Sequence, residues 1–191
     1  MQASFGEGPF LLPLLGIKDR AFQAEYKRTT LKKSVNDEAI HRITTRGAIY
    51  RAADGSNRRE QYGKDEAGSK PSTIIIYNPA RQVSYLLDAE SKTFFTMPLA
   101  TSNSPSEFPP SEAQDIGRKV IEDLVCRGYR LKRQENGEVE YWISEELQEV
   151  VLAKIVTRDE ESTLQLFNIR RIEPAGSLFT VPKDYEKAMV E

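Results

Sequence analysis

Four short runs of β-forming residues follow one another between Gly47 and Leu99, and each is ended by residues that turn or break a strand. Ala48-Ile49-Tyr50-Arg51 runs into Asp54-Gly55, and Thr73-Ile74-Ile75-Ile76-Tyr77 into Asn78-Pro79. Val83-Ser84-Tyr85-Leu86-Leu87 runs into Asp88-Ala89-Glu90-Ser91, and Thr93-Phe94-Phe95-Thr96-Met97 stops before Pro98. Such spacing describes a meander of antiparallel strands. No catalytic motif lies on it, so the pattern speaks for architecture and not for activity.

Residues outside this stretch extend the same reading. Phe22, Ala24 and Tyr26 alternate with Gln23, Glu25 and Lys27, the period of a half-buried strand, and Ser34-Val35-Asn36-Asp37 supplies a turn. Residues 39–52 read as a long returning strand in which Gly47 predicts a bulge or bend. Asn57 to Tyr62 is the next strand, and 63–71 a solvated hairpin loop. Residues 100–111, with three prolines and four serines, form an irregular loop that divides the chain into two β-rich halves. In 111–129, Ser111 with Gln114 and the spacing of Ile116, Val120, Ile121 and Leu124 suggest a helix. Gly117, Gly128 and the β-branched cluster favour two strands bent near Glu122-Asp123. Beyond this region, 129–132, 139–144, 150–156 and 163–172 read as strands, with Asn136-Gly137 a hairpin signal, and Gly176 to Phe179 as one turn.

Composition then bounds the partners. A chain of 191 residues is long enough to bury a core without disulfides. Its 27 basic and 29 acidic residues give a formal charge of −2, so nucleic acid or an anionic membrane is not expected as the main partner. The apolar run Phe10-Leu11-Leu12-Pro13-Leu14-Leu15 has no basic flank, is broken by Pro13 and is too short for a membrane span. Either the protein is cytoplasmic, or it is the mature part of an exported one. Residues 1–20 are expected to be an apolar, irregular segment, 21–185 one curved-sheet domain, and 186–191 a polar tail.

Catalytic and metal chemistry find little support. His41 is the only histidine and Cys126 the only cysteine, so multi-histidine metal sites, cysteine clusters and intramolecular disulfides are excluded. No nucleophile motif accompanies His41 in its strand. Arg127 and Arg130 near Cys126 would lower its pKa, but a buried, inert thiol is the expectation. Glu122-Asp123, Glu145-Glu146 and Glu160-Glu161 are expected in turns, in no calcium-loop frame, and no Gly-rich phosphate loop is present. We expect no cofactor, no metal and no enzymatic activity. The basic residues Arg42, Arg46, Arg51, Arg58 and Arg59, and Arg118, Lys119, Arg127, Arg130, Lys132 and Arg133, read as a solvated outer sheet face.

Aromatic and aliphatic residues are more suggestive. Tyr85 and Leu87 share one face of their strand and Phe95 and Met97 one face of theirs, while Trp142, Leu164, Leu166 and Phe167 lie on strands of the second half. A large antiparallel sheet must cover its apolar face with helices, another sheet or a ligand, and long helices are few here. Strand alternation nominates Tyr85, Leu87, Phe95, Met97, Trp142 and Phe167 as ligand-cavity residues.

Several of these segments also resemble a known group. Arg46-Gly47-Ala48-Ile49-Tyr50-Arg51, Asp54-Gly55-Ser56-Asn57-Arg58-Arg59-Glu60, Tyr85-Leu86-Leu87-Asp88 and Asn168-Ile169 look like exported bacterial proteins of unknown function, as do Glu173-Pro174, Ser177-Leu178-Phe179 and Val181-Pro182-Lys183-Asp184-Tyr185. The match runs from about Phe22 to Tyr185. More distantly the chain is similar to the outer-membrane lipoprotein carrier superfamily, which includes lipoprotein chaperones and a periplasmic regulator. The resemblance implies an incomplete antiparallel barrel, able to hold acyl chains, and a periplasmic location after removal of a signal. The expected fold is thus β-dominated α+β, an open curved sheet of about nine to eleven strands with few short helices. The expected function is periplasmic binding of an apolar or lipidated ligand. The alternative is a protein-interaction or envelope-stress-sensing module without a small-molecule ligand, its partner an envelope protein.

Overall fold

Alternation of side chains decides the fold of each segment. In a computed structural model, which describes residues 17–33, 40–63, 70–98, 111–133 and 137–188, Phe22, Ala24 and Tyr26 are buried while Glu25 and Lys27 face water, as the strand period requires. Twelve strands result: β1 (Phe22–Lys33), β2 (Ile40–Arg51), β3 (Asn57–Tyr62), β4 (Pro71–Asn78), β5 (Val83–Asp88), β6 (Thr93–Pro98), β7 (Gln114–Ile121), β8 (Leu124–Arg133), β9 (Gly137–Ser144), β10 (Val150–Val156), β11 (Glu160–Arg170) and β12 (Glu186–Lys187). They form one open, curved sheet in the order β12-β6-β5-β4-β3-β2-β1-β11-β10-β9-β8-β7. Neighbours are antiparallel except β12, which runs parallel to β6.

Two meanders meet at the centre of the sheet. The first leaves β1 toward one edge and ends at β6; the second starts at the opposite edge with β7 and returns to β11 beside β1. The expected strand succession is therefore present, with one strand more than expected. That extra strand is the two-residue β12, which lies in the expected polar tail and is too short to show any periodicity. No α-helix occurs among the described residues; a single 3-10 turn, Gly176–Phe179, lies where one turn was expected.

Residues 111–129 are two strands, not a helix. The turn between β7 and β8 has Glu122 at φ 50° and Asp123 at φ 60°, two left-handed residues in succession, which is the type I′ geometry matched to the twist of a hairpin. Gly47 causes no bulge: β2 stays in register with β1 and β3 through it. A methyl group there would stand 2.4 Å from the Tyr26 ring and 1.9 Å from the Glu60 carbonyl oxygen, so the glycine is needed for close approach. Glu160-Glu161 opens β11 instead of lying in a turn. Expectations for residues 1–16, for the turn at 34–37, for most of the loops 63–71 and 100–111 and for Asn136 fall outside the described residues.

Two apolar clusters lie on opposite faces. The larger gathers Phe22, Ala24, Tyr26, Ile49, Val139, Tyr141, Ala153, Ile155, Leu164 and Leu166 from the central and later strands. Register places these residues on one face, with Tyr26 against Leu166, Leu164 against Ala153, and Ala153 against Tyr141. The smaller cluster, Ala52, Ile74, Ile76, Leu87 and Phe179, lies on the other face, where Leu178, Val181 and Tyr185 of the carboxy-terminal segment pack over β4 and β5. That segment takes the place of a covering helix.

Candidate functional site

The sheet bends toward the face of the larger cluster, and contacts at its rim show the bend. β2 and β10 are three strand spacings apart, about 14 Å in a flat sheet, farther than an arginine side chain extends. Yet Arg51, the last residue of β2, donates to Leu147 O in the β9–β10 turn and lies 3.4 Å from Glu149 Oε2. Arg59 on β3, one strand farther away, is 3.4 Å from Glu149 Oε1. The Arg51 guanidinium also sits 4.7 Å from the centroid of the Phe22 ring and donates to Arg20 O at 3.1 Å. Both Arg51 and Glu149 are buried. Burial first, then Arg59 and Arg20, press the Arg51 guanidinium below its ordinary pKa, while Glu149 opposes the shift. The face carrying Phe22 and Arg51 is thus the inner, concave face.

On this inner face the first meander presents a row of apolar side chains that belongs to neither core cluster. Arg59 pairs with Ile75, Ile75 with Leu86 and Leu86 with Phe95, while Tyr77, Ser84 and Met97 line up one rung along. Ile75, Leu86 and Met97 are half-buried and Phe95 is 38% exposed. This partly exposed row lies on the same concave face as the arginine rim.

Of the nominated cavity residues, Phe95 and Met97 are in this row. Tyr85, Leu87 and Phe167 point to the opposite face, and Trp142 alternates to that face by register while packing against residues of the larger cluster. Leu87 is fully buried in the smaller cluster, and Tyr85 packs against that cluster with its ring edge-on to Phe94 at 6.1 Å. Trp142 lies over Gly128, with Lys119 Nζ 3.8 Å from the centroid of its ring, and Phe167 shares that face by its register opposite Glu25. Leu86, Ile75 and Tyr77 are not among the nominated residues. They alternate with residues that are, or that fill the smaller cluster, and alternation alone does not say which face is inner.

Neither His41 nor Cys126 belongs to this row. His41 is exposed on β2. Cys126 is buried, as expected, and burial pushes its thiol pKa up, outweighing the effect of the nearby Lys119. Among the described residues, no three His, Cys, Asp or Glu are grouped so as to hold a metal ion, and no helix is long and apolar enough to cross a membrane. The basic residues of the second half are tied on the surface, Arg130 to Glu138 and Glu140, Arg127 to Asp115, and Arg118 to Glu145, whereas Arg51, Arg58 and Arg59 of the first half are withdrawn from water into pairs with Glu149 and Glu60, contrary to the expected solvated face.

No protein-family model matches the chain, and no curated protein does. Solved structures do. An uncharacterized conserved protein from Thermus thermophilus aligns with a TM-score of 0.54 at 10% identity, over 86% of this chain and 89% of the other. MucB of Pseudomonas aeruginosa, solved with MucA, aligns with a TM-score of 0.51 at 11% identity over 89% of this chain. The chain spans only 58% of that MucB structure. A LolA superfamily protein of Nitrosomonas europaea gives a TM-score of 0.42 at 8% identity, over 86% of this chain and 91% of the other. The chain shares the open, curved-sheet fold of the Thermus thermophilus protein and of MucB.

Proposed function

We propose that the concave face holds the apolar part of a lipid or a lipidated chain, without catalysis, in the periplasm. The observation that supports this most is the row Ile75, Leu86, Phe95 and Met97, partly exposed on the inner face and excluded from both core clusters. A curved sheet surrounds an acyl chain on more than one side, and each methylene removed from water contributes about 0.8 kcal/mol before the costs of binding. Polar groups at one end of the inner face, Arg51, Arg59 and Glu149, give the groove a direction: an apolar limb beside a charged rim.

Binding of a fluorescent fatty acid to the purified chain tests this reading. Phe95→Glu and Leu86→Glu should each weaken binding at least tenfold, because a carboxylate in the groove loses its water to the acyl chain. Gln165→Glu on the exposed outer face should leave binding unchanged. If the wild-type chain takes up no probe, or if folded Phe95→Glu binds as well as wild type, the reading is overturned.

A second reading, a protein-interaction module with no small-molecule ligand, draws on the likeness to MucB, which was solved in complex with MucA. Under it, both inner-face variants would leave partner binding intact.

A further inference from the structure

The sheet treats its edges unequally. At one end, the parallel pairing of Glu186 and Lys187 with Thr93 and Phe94 caps part of β6. At the other, β7 loses register between Asp115 and Gly117, with Gly117 at φ +96°. A bulge of this kind keeps a bare edge from recruiting another strand. Among the described residues a third edge has neither device. β2 pairs with β1 along its whole length, from Arg51 opposite Phe22 to Ile40 opposite Lys33, without a shift. With β3 it pairs only from Gly47 to Arg51. Residues 40–46 therefore turn one row of backbone N–H and C=O groups toward no described strand.

This overhang is composed as a strand that would pair readily. It contains Ile40, Ile43, Thr44 and Thr45, all β-branched, and neither proline nor glycine. Ile40 is 63% and Ile43 46% exposed. Isolated exposed isoleucines need no explanation, but two on an unpaired, regular edge do.

Charge selects the occupant. By alternation from Ile49, His41, Ile43 and Thr45 lie on the inner face and Arg42, Thr44 and Arg46 on the outer one. Lys27 stands directly opposite Arg46 on that outer face, a like-charge pair that is unfavourable unless an anion lies near. Among the described residues none of Lys27, Arg42 and Arg46 takes part in an ion pair. A second copy of the chain is disfavoured on the same ground, since two-fold antiparallel pairing about Thr44 sets Arg42 of one copy against Arg46 of the other.

We propose that the edge of β2 over residues 40–46 docks an extended, acidic strand of a partner protein by β-augmentation. The incoming strand alternates acidic side chains, facing Arg42 and Arg46, with apolar ones beside Ile43, and its backbone completes the open hydrogen-bond row. This surface lies away from the apolar row of the inner face and does not depend on what that row holds.

A dye-labelled nonapeptide alternating glutamate and valine is the probe, with its lysine–valine counterpart as the control. Fluorescence anisotropy should show saturable binding of the acidic peptide only, and hydrogen–deuterium exchange should show slowed amides confined to 40–46. The double variant Arg42→Glu with Arg46→Glu, both at exposed positions, should weaken binding at least tenfold and bring in the lysine–valine peptide. Thr44→Pro should weaken binding of the acidic peptide without that reversal. Lack of saturable binding, protection elsewhere, or binding indifferent to the charge reversal would overturn the proposal. So would a concentration-dependent dimer that protects 40–46, which would make a second copy the occupant.

Discussion

Replacing Glu149 by glutamine removes one charge and almost no volume, so it isolates the electrostatics of the inner rim. The carboxylate lies 3.4 Å from Arg51 and 3.4 Å from Arg59, and the Arg51 and Glu149 side chains are only 1% and 2% exposed. Loss of the shared anion leaves two guanidinium groups in a poorly solvated site, a change that costs about 3–5 kcal/mol when one partner of a buried pair is removed. In a chain of this size each kcal/mol corresponds to about 2–4 °C in the unfolding midpoint, so the fall should be about 6–20 °C. Thermal unfolding reads that fall and urea unfolding the free energy itself, urea being chosen because guanidinium chloride would screen the charges under study. The midpoint should drop with little change in slope. Adding Arg51→Met to Glu149→Gln should cost less than the sum of the two single changes, since the second removes a charge the first left unpaired. A loss below about 1 kcal/mol, the value of an exposed pair, would refute the argument that the sheet curves far enough to bury this network.

Gly47→Ala should destabilise the protein by about 3 kcal/mol, because the added methyl meets a backbone oxygen at 1.9 Å; Gly176→Ala, with nothing within 4 Å of the new atom, should stay within about 0.5 kcal/mol by the same unfolding assay. Burial pushes the Tyr26 hydroxyl from 10.0 up to about 12, so the native state keeps a proton that the unfolded chain gives up. Its effect on stability is absent below pH 10 and grows to a loss of about 2–3 kcal/mol as pH rises through 12; Tyr26→Phe should flatten that alkaline decline, and an unchanged decline would contradict the assignment. Cys126 should react with an aromatic disulfide reagent only after urea unfolding, since burial excludes both the reagent and the thiolate; stoichiometric labelling of the native chain within minutes would count against it.

Much of the architecture is legible in the sequence because it is local. Turn residues such as Asp54-Gly55 and Asn78-Pro79 bound strands whose alternation is visible in the chain, and Glu122-Asp123 reads as a bend without knowledge of its left-handed geometry. Face and partner are not local. Tyr85 and Phe95 look equally fit for a cavity in the sequence, and only the packing of Phe179 and Tyr185 over β4 and β5 determines which of them is used up in the core. The Arg51–Glu149 contact joins residues 98 positions apart, and no periodicity announces it. Gly47 is recognisable as special, but the reason lies in a ring one strand away. The overhang of β2 beyond the described part of β3 is equally hidden, since it depends on where the pairing between the two strands stops.

The central claim is that the concave face carries an apolar ligand, and native mass spectrometry of the protein purified from its own cells, before and after organic extraction, tests it most directly. A stoichiometric adduct that is lost on extraction, identified as a lipid and absent from the Phe95→Glu variant, is the predicted result. A bare chain mass that stays unchanged after incubation with envelope lipids would contradict it.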